Sequence, residues 1–209
     1  MSAVRTRLRP PDQSPATWWD HRSVRPVFPS LTDGVVFWGV LALALAPVLL
    51  WFARHREVRG QRRRDLMPLI FLGMISAIAT GYARVGALPH WVFYPGETLF
   101  VVGAAFTGWS YSRLGHYLSL YAEVLPDHQL IEDGPYRYIR HPGYLGAGVA
   151  VTGLGLALQS WVAVVVILVF AAVALANRIR VEEDLMTAEI GDRYVDYKAR
   201  TKRMIPFIW

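Results

Sequence analysis

The organisation of this 209-residue chain follows from residues 134–146, which read Gly134-Pro135-Tyr136-Arg137-Tyr138-Ile139-Arg140-His141-Pro142-Gly143-Tyr144-Leu145-Gly146. Each of the two prolines lacks a backbone N–H, fixes its own φ and pushes the residue before it away from helical geometry. The run is therefore predicted to be a shaped loop that opens into a regular element. A cationic, aromatic loop in this place is suited to hold an anion, and equally suited to meet lipid phosphates at a membrane surface.

The composition indicates a membrane protein. Hydrophobic residues make up 54% of the chain and charged residues only 18%, and the mean hydropathy is +0.27, which is too apolar for a typical soluble domain. The net charge of +6 is concentrated between apolar blocks, as expected beside an anionic membrane face, and no nucleic-acid-binding motif is present. The absence of cysteine excludes disulfides, thiolate metal sites and cysteine nucleophiles. We expect no cleaved signal peptide and no metal site.

The hydrophobic pattern predicts an all-α, polytopic membrane protein with about five transmembrane helices. The expected spans are residues 34–53, 66–88, 97–111, 143–158 and 161–176. Only Gln159 and Ser160 separate the last two, so these should form an antiparallel hairpin, followed by a charged cytoplasmic helix that Gly191 interrupts. Residues 1–112 would hold an N-terminal tail and three spans, and residues 113–209 a catalytic region.

The distribution of charge predicts the orientation. With five spans, residues 54–64, residues 113–141 and the C-terminal helix lie on one side and hold 16 of the 22 Lys and Arg residues. The positive-inside rule makes that side cytoplasmic. The arginines of the N-terminal tail would then lie outside, which conflicts with the rule for the first span only.

A second constellation leaves the fifth predicted span directly, at residues 177–185, which read Asn177-Arg178-Ile179-Arg180-Val181-Glu182-Glu183-Asp184-Leu185. The spacing of four between Arg178 and Glu182 permits a local helix ion pair. Alternatively, the hairpin brings these residues beside the His141 loop to bind a ligand. Arginine, histidine, carboxylate and aromatic groups together would suit the carboxylate, ammonium, ribose and purine of S-adenosylmethionine. No GxGxxG stands at a strand–helix junction, so a cofactor site must be built from helices and loops.

On these residues the chain resembles the isoprenylcysteine carboxyl methyltransferase family and its relatives, integral-membrane methyltransferases that include phospholipid N-methyltransferases. The resemblance runs from about Leu114 to the C-terminus. It rests on His128-Gln129-Leu130-Ile131, on residues 134–146, and on Arg178, Glu182, Glu183, Leu185, Gly191, Tyr194, Tyr197 and Ile205-Pro206-Phe207.

The resemblance implies an S-adenosylmethionine-dependent methyltransferase whose lipophilic acceptor enters from the bilayer. The candidate cofactor-binding residues are His128, Leu130, Gly134, Tyr136, Arg140, His141, Tyr144, Glu182 and Glu183. An acceptor carboxylate would be oriented by Arg137, Arg178 or Arg180, whereas an amine acceptor would need deprotonation near Glu183 or Tyr144. A bacterial cell membrane with the active site on the cytoplasmic side is the expected location, and the acceptor itself stays open.

Two other functions compete with this hypothesis. A membrane reductase of the sterol type would use NADPH and would need a cationic pocket for the 2′-phosphate, which Arg137 and Arg140 could form. A non-catalytic membrane protein would bind no nucleotide. The paired carboxylates Glu182 and Glu183 after Arg178 favour the methyltransferase.

Overall fold

Six α-helices and two 3₁₀ turns form the part of the chain that this computed structural model describes, residues 28–54, 66, 68–115 and 130–205. The helices are α1 (Leu31–Arg54), α2 (Pro68–Tyr82), α3 (Phe93–Leu114), α4 (Pro142–Ala157), α5 (Trp161–Ile190) and α6 (Asp192–Arg200). The 3₁₀ turns are His90–Val92 and Gly134–Arg137. No β-strand occurs within these ranges, so the predicted all-helical fold is confirmed for the described residues.

The helix boundaries around α2 and α3 differ from the sequence prediction. The third span is predicted to begin at residue 97, but α3 begins at Phe93; Pro95 is tolerated in its first turn, where a missing N–H breaks no helical hydrogen bond. The second predicted span is shorter than expected and ends at Tyr82, followed by a turn in which Arg84 and Gly86 adopt positive φ.

The longest apolar element is α5. Among the described residues it is the one helix whose length and composition suffice to cross a bilayer, whereas α2 and α4 are apolar but shorter. The apolar residues 161–176 and the charged residues that follow them form one continuous helix up to Ile190. The break predicted at Gly191 is present, with φ of +66°. Glu182 and Glu183 thus lie on the same continuous helix as the apolar residues 161–176.

The most extensive helix pair is α3 with α4, and glycines make its close approach possible. A Cβ added to Gly103 would lie 2.7 Å from the carbonyl oxygen of Gly146, and one added to Gly153 would lie 2.6 Å from that of Gly96. Small residues at such positions let two helix backbones touch, as membrane helix pairs commonly do. The end of α3 is thereby held against the beginning of α4.

Helices α4 and α5 run antiparallel. At one end Gly155 packs against the backbone of Val164, and at the other Tyr144 contacts Glu182. The linker between them is buried: Ser160 caps α5 by accepting a hydrogen bond from the Ala163 N–H and donates one to the Val85 carbonyl. This arrangement brings the beginning of α4 and the charged half of α5 to the same end of the molecule.

Candidate functional site

The candidate site lies where the loop before α4 meets the charged half of α5. Pro142 starts α4, so His141 stands just ahead of the helix and Tyr144 in its first turn. Glu182 and Glu183 are about two-thirds of the way along α5. Because the helices pack antiparallel, residues about forty positions apart in sequence make direct side-chain contacts, Arg140 with Glu183 and Tyr144 with Glu182.

Glu183 is the buried centre of a cluster of cations. Its side chain is 3% exposed, and its two oxygens lie 2.8 Å from Arg140 Nε and 3.0 Å from an Arg203 terminal nitrogen. Lys198 Nζ is 3.9 Å away and His141 Nε2 3.6 Å away. A carboxylate so enclosed is held ionised and has no free face for a ligand.

Arg140 is held by several protein groups through Nε and one terminal nitrogen. Besides Glu183, its guanidinium donates to the carbonyl oxygens of Lys198, at 3.2 Å, and Thr201, at 2.6 Å, at the C-terminal end of α6. A cation at the last carbonyls of a helix is stabilised by the helix dipole. Arg140 therefore joins three elements of the chain: the loop, α5 and α6.

The environment of Glu183 predicts a pH dependence of stability. Burial opposes ionisation, but His141, Arg140 and Arg203 outweigh it and lower the pKa of Glu183 from 4.5 to about 2. Because the pKa is lower in the folded chain, the stabilisation is present above about pH 4.5 and is lost as the pH falls toward 2; it is worth about 3 kcal/mol. We expect the wild-type unfolding midpoint in detergent to fall more steeply between pH 6 and pH 3 than that of Glu183→Gln. Equal slopes would contradict the prediction.

Glu182 lies in a second, more open cluster. Its Oε1 accepts hydrogen bonds from the Tyr144 hydroxyl and from Arg178 Nε, both at 2.6 Å. Its Oε2 is 3.6 Å from His141 Nδ1, and the side chain is 21% exposed. Arg178 by contrast is buried, with a side chain that is 3% exposed. The two consecutive carboxylates thus have different surroundings: Glu183 is enclosed and Glu182 is accessible.

His141 bridges the two clusters. Its ring stacks on that of Tyr144, with centroids 5.5 Å apart and planes 12° from parallel. Its Nε2 is buried and has no hydrogen-bond partner among the described residues. A buried nitrogen without a partner is costly to the folded protein, and a bound polar ligand would relieve that cost.

The remaining predicted site residues lie around this centre rather than in it. Leu130 is half-buried, Gly134 is exposed with φ of +55°, and Tyr136 is buried, its carbonyl accepting a hydrogen bond from the Tyr197 hydroxyl. Arg137 is exposed and contacts the ring of Tyr138, with its guanidinium carbon 6.0 Å from the centroid. His128 lies outside the described residues.

Several residues at the site were not singled out from the sequence. Arg203, Lys198 and Thr201 complete the cluster around Glu183 and Arg140. Tyr111 of α3 packs beside the beginning of α4, where a Cβ on Gly143 would overlap its ring. No pattern in the sequence marks these residues, because their contacts depend on which helix faces meet.

The fold and the site together define a helical protein with a cluster of charged and aromatic side chains between a loop and a long apolar helix. Residues 97–188 match the model of the Isoprenylcysteine carboxyl methyltransferase (ICMT) family. The chain is therefore similar to the ICMT family over this segment, as the resemblance of its motifs predicted.

Individual relatives show the same similarity. The chain is 32% identical over 82 residues to the protein-S-isoprenylcysteine O-methyltransferase of Schizosaccharomyces pombe, covering 39% of this chain and 35% of that protein. It is also 32% identical over 75 residues to the uncharacterized protein YpbQ of Bacillus subtilis, covering 36% of this chain and 45% of YpbQ. The matches thus span less than half the length of these relatives.

A solved structure extends the likeness over most of the fold. The eukaryotic intramembrane Ras methyltransferase ICMT superimposes with a TM-score of 0.66 at 20% sequence identity, covering 90% of this chain and 70% of that one. This similarity concerns the fold and includes regions beyond the segment that the family model matches.

Proposed function

We propose that this chain is an S-adenosylmethionine-dependent integral-membrane methyltransferase whose acceptor is a carboxylate on a lipophilic, isoprenylcysteine-like molecule. The observation that carries the proposal is the pairing of His141 with Glu182 in a partly open cluster, with His141 Nε2 buried and without a hydrogen-bond partner among the described residues. A hydrogen-bond donor on the loop beside a carboxylate on the helix suits a ligand that carries both a carboxylate and an ammonium group.

Only some of the candidate residues are placed to contact this cofactor directly. The His141 imidazole, whose Nδ1 lies toward the accessible Glu182, would bind the aminoacyl carboxylate, and the exposed part of Glu182 would face the ammonium or a ribose hydroxyl. The Tyr144 ring, stacked on His141, adds an aromatic edge beside them. When bound, S-adenosylmethionine would supply an electrophilic methyl group. Leu130, Gly134 and Tyr136 act through the shape of the loop.

Arg178 is the residue that would orient the acceptor carboxylate. This guanidinium is buried in α5 and held by Glu182, so its position is fixed before a substrate arrives. A fixed cation orients a carboxylate, and a carboxylate is already ionised at neutral pH and needs no general base. The alternative of an amine acceptor deprotonated by Glu183 is disfavoured, because a carboxylate with a pKa of about 2 is a weak base.

Arg140 and Glu183 then have supporting roles. Every polar group of Glu183 faces a protein cation, and Arg140 is bonded to α5 and to the end of α6. We assign both residues to holding the loop in position rather than to contact with the cofactor. Arg137 is exposed and turned toward Tyr138, so the acceptor carboxylate is not expected to bind there.

The membrane arrangement is part of the same proposal. The apolar residues 161–176 of α5 cross the bilayer, antiparallel to α4, and the charged residues from 177 onward emerge on the cytoplasmic side. Exposed Val165, Val169 and Val173 of α5 then face lipid, which is the natural environment for a lipophilic acceptor. The chain would be a multi-pass protein of a bacterial cell membrane.

The experiment is binding of S-adenosylhomocysteine to detergent-purified protein by calorimetry. We expect binding by the wild type and a loss of at least about tenfold in His141→Ala and Glu182→Gln, about 1.4 kcal/mol each. Asp184→Asn is the matched control, because it removes an exposed carboxylate from the same helix and should bind normally.

Two outcomes would overturn the proposal. Binding of NADPH in place of S-adenosylhomocysteine would indicate the reductase, although Arg140 is occupied and Arg137 points elsewhere. Binding of neither would indicate a non-catalytic protein. The acceptor is tested by transfer of a labelled methyl group to a farnesylated cysteine: an ester releases volatile methanol in base, whereas a methylated amine does not.

A further inference from the structure

The chain returns to the candidate site after α6. Residues 201–203, which we call the C-terminal strap, run alongside the loop in a short parallel bridge. The Arg140 and His141 N–H groups donate to the carbonyl oxygens of Lys202 and Arg203, at 2.8 and 2.9 Å, and the Lys202 N–H donates to the Tyr138 carbonyl at 3.1 Å. The backbone of His141 is therefore hydrogen-bonded to the strap.

Side chains connect the strap to the same cluster. Two nitrogens of the Arg203 guanidinium contact Glu183 Oε2: Nε at 3.2 Å and a terminal nitrogen at 3.0 Å. Thr201 is buried, accepts from Arg140, and donates from its hydroxyl to the Tyr197 carbonyl at 2.5 Å. Arg203 and Arg140 thus bind opposite oxygens of one carboxylate.

Helix α6 adds a third attachment. The Tyr197 hydroxyl donates to the Tyr136 carbonyl at 2.7 Å, inside the 3₁₀ turn that precedes His141. Tyr197 is buried, so this bond is shielded from water. The loop is consequently fixed at its beginning by α6 and at its end by the strap, both of which lie outside the segment that the family model matches.

We propose that the C-terminal strap is a positioning element of the cofactor site, in which Arg203 sets the affinity for S-adenosylmethionine by fixing His141 through Glu183 and the strap backbone. This inference rests on the proposed function. Arg203 contacts Glu183 Oε2 through its guanidinium and accepts a hydrogen bond from the His141 N–H at its carbonyl, and it acts on the ligand through these two groups. A donor displaced by a fraction of an ångström loses the hydrogen-bond geometry that a preorganised site supplies.

The test compares four proteins by calorimetry with S-adenosylhomocysteine and by steady-state methyl transfer. Arg203→Gln is expected to weaken cofactor binding about tenfold, and to raise KM for S-adenosylmethionine while kcat at saturation changes less than twofold. Arg203→Lys keeps a cation at Glu183 and should recover most of the affinity. Arg193→Gln removes the same charge from an exposed position on α6, outside the strap, and should behave like the wild type.

A milder variant covers the case in which Arg203→Gln does not fold. Tyr197→Phe removes one hydroxyl and the bond to Tyr136, and is expected to weaken cofactor binding about threefold with a folded protein by circular dichroism.

The outcomes separate the two proposals. Failure of the wild type to bind S-adenosylhomocysteine contradicts the proposed function itself. Wild-type binding with unchanged affinity in Arg203→Gln, or in Tyr197→Phe if the former does not fold, contradicts only the positioning role. An equal loss of kcat and affinity without recovery by lysine would show that Arg203 supports the fold alone.

Discussion

Glu183→Gln is expected to be among the most destabilising conservative substitutions in this chain. Glutamine has nearly the same size, but it removes the charge that neutralises Arg140 and Arg203 in a position where only 3% of the side chain is exposed. Removing one member of a buried ion pair typically costs about 3–5 kcal/mol, because the remaining charge stays buried without compensation. We expect a fall of that order in the free energy of unfolding, which would be seen in detergent as a lower thermal unfolding midpoint.

The neighbouring residue provides the matched control. Glu182→Gln also removes one carboxylate charge from α5, but Glu182 is 21% exposed and its carboxylate pairs with Arg178, whereas the enclosed carboxylate of Glu183 neutralises both Arg140 and Arg203. Its effect on the unfolding midpoint should be clearly smaller, while its effect on cofactor binding should be larger. If both variants unfolded at the same temperature, the distinction between an enclosed and an accessible carboxylate would be wrong.

Gly103→Ala is expected to have the second large effect. A Cβ at this position would lie 2.7 Å from the carbonyl oxygen of Gly146 and 2.8 Å from the Ala150 Cα, both backbone atoms that cannot rotate away. Inserting a methyl group into a packed contact costs about 1–3 kcal/mol, and the upper end applies because two whole helices must separate. We expect a lower thermal midpoint, together with weaker cofactor binding as α4 shifts with Tyr144 and His141.

The same helix contains the control for this change. Gly108 of α3 has nothing within 4 Å of the position that a Cβ would occupy, and Gly148 of α4 is equally open. Gly108→Ala should leave the midpoint unchanged or raise it slightly, because alanine is the better helix former. A comparable loss in Gly103→Ala and Gly108→Ala would show that α3 and α4 do not pack closely at Gly103.

Much of the fold and part of the site could be predicted from the local pattern. The apolar runs predicted α4 and the first half of α5, since burial or lipid contact requires such runs whatever the neighbours are. The two-residue separation at Gln159 and Ser160 predicted that the beginning of α4 would meet the charged half of α5, and Tyr144 does contact Glu182. The spacing of four also permitted the local Arg178–Glu182 ion pair, and the structure contains it.

The roles within the site could not be predicted in this way. Glu182 and Glu183 are adjacent in sequence and chemically identical, yet successive helix positions point about 100° apart, so one faces the strap and the other the stacked rings of His141 and Tyr144. Arg140 and Arg137 are likewise indistinguishable in the motif. Only one of them is enclosed by α5 and α6.

By itself the sequence determined that the chain is helical and apolar, and that a loop and a charged helix segment share one end, because hydrophobic length, proline position and a short linker act locally. The tertiary structure alone decided which carboxylate is enclosed, which arginine holds the loop and where residues 201–203 return. These depend on helix rotation and on contacts between residues 40 to 60 positions apart, and no local pattern encodes which faces of two helices will meet.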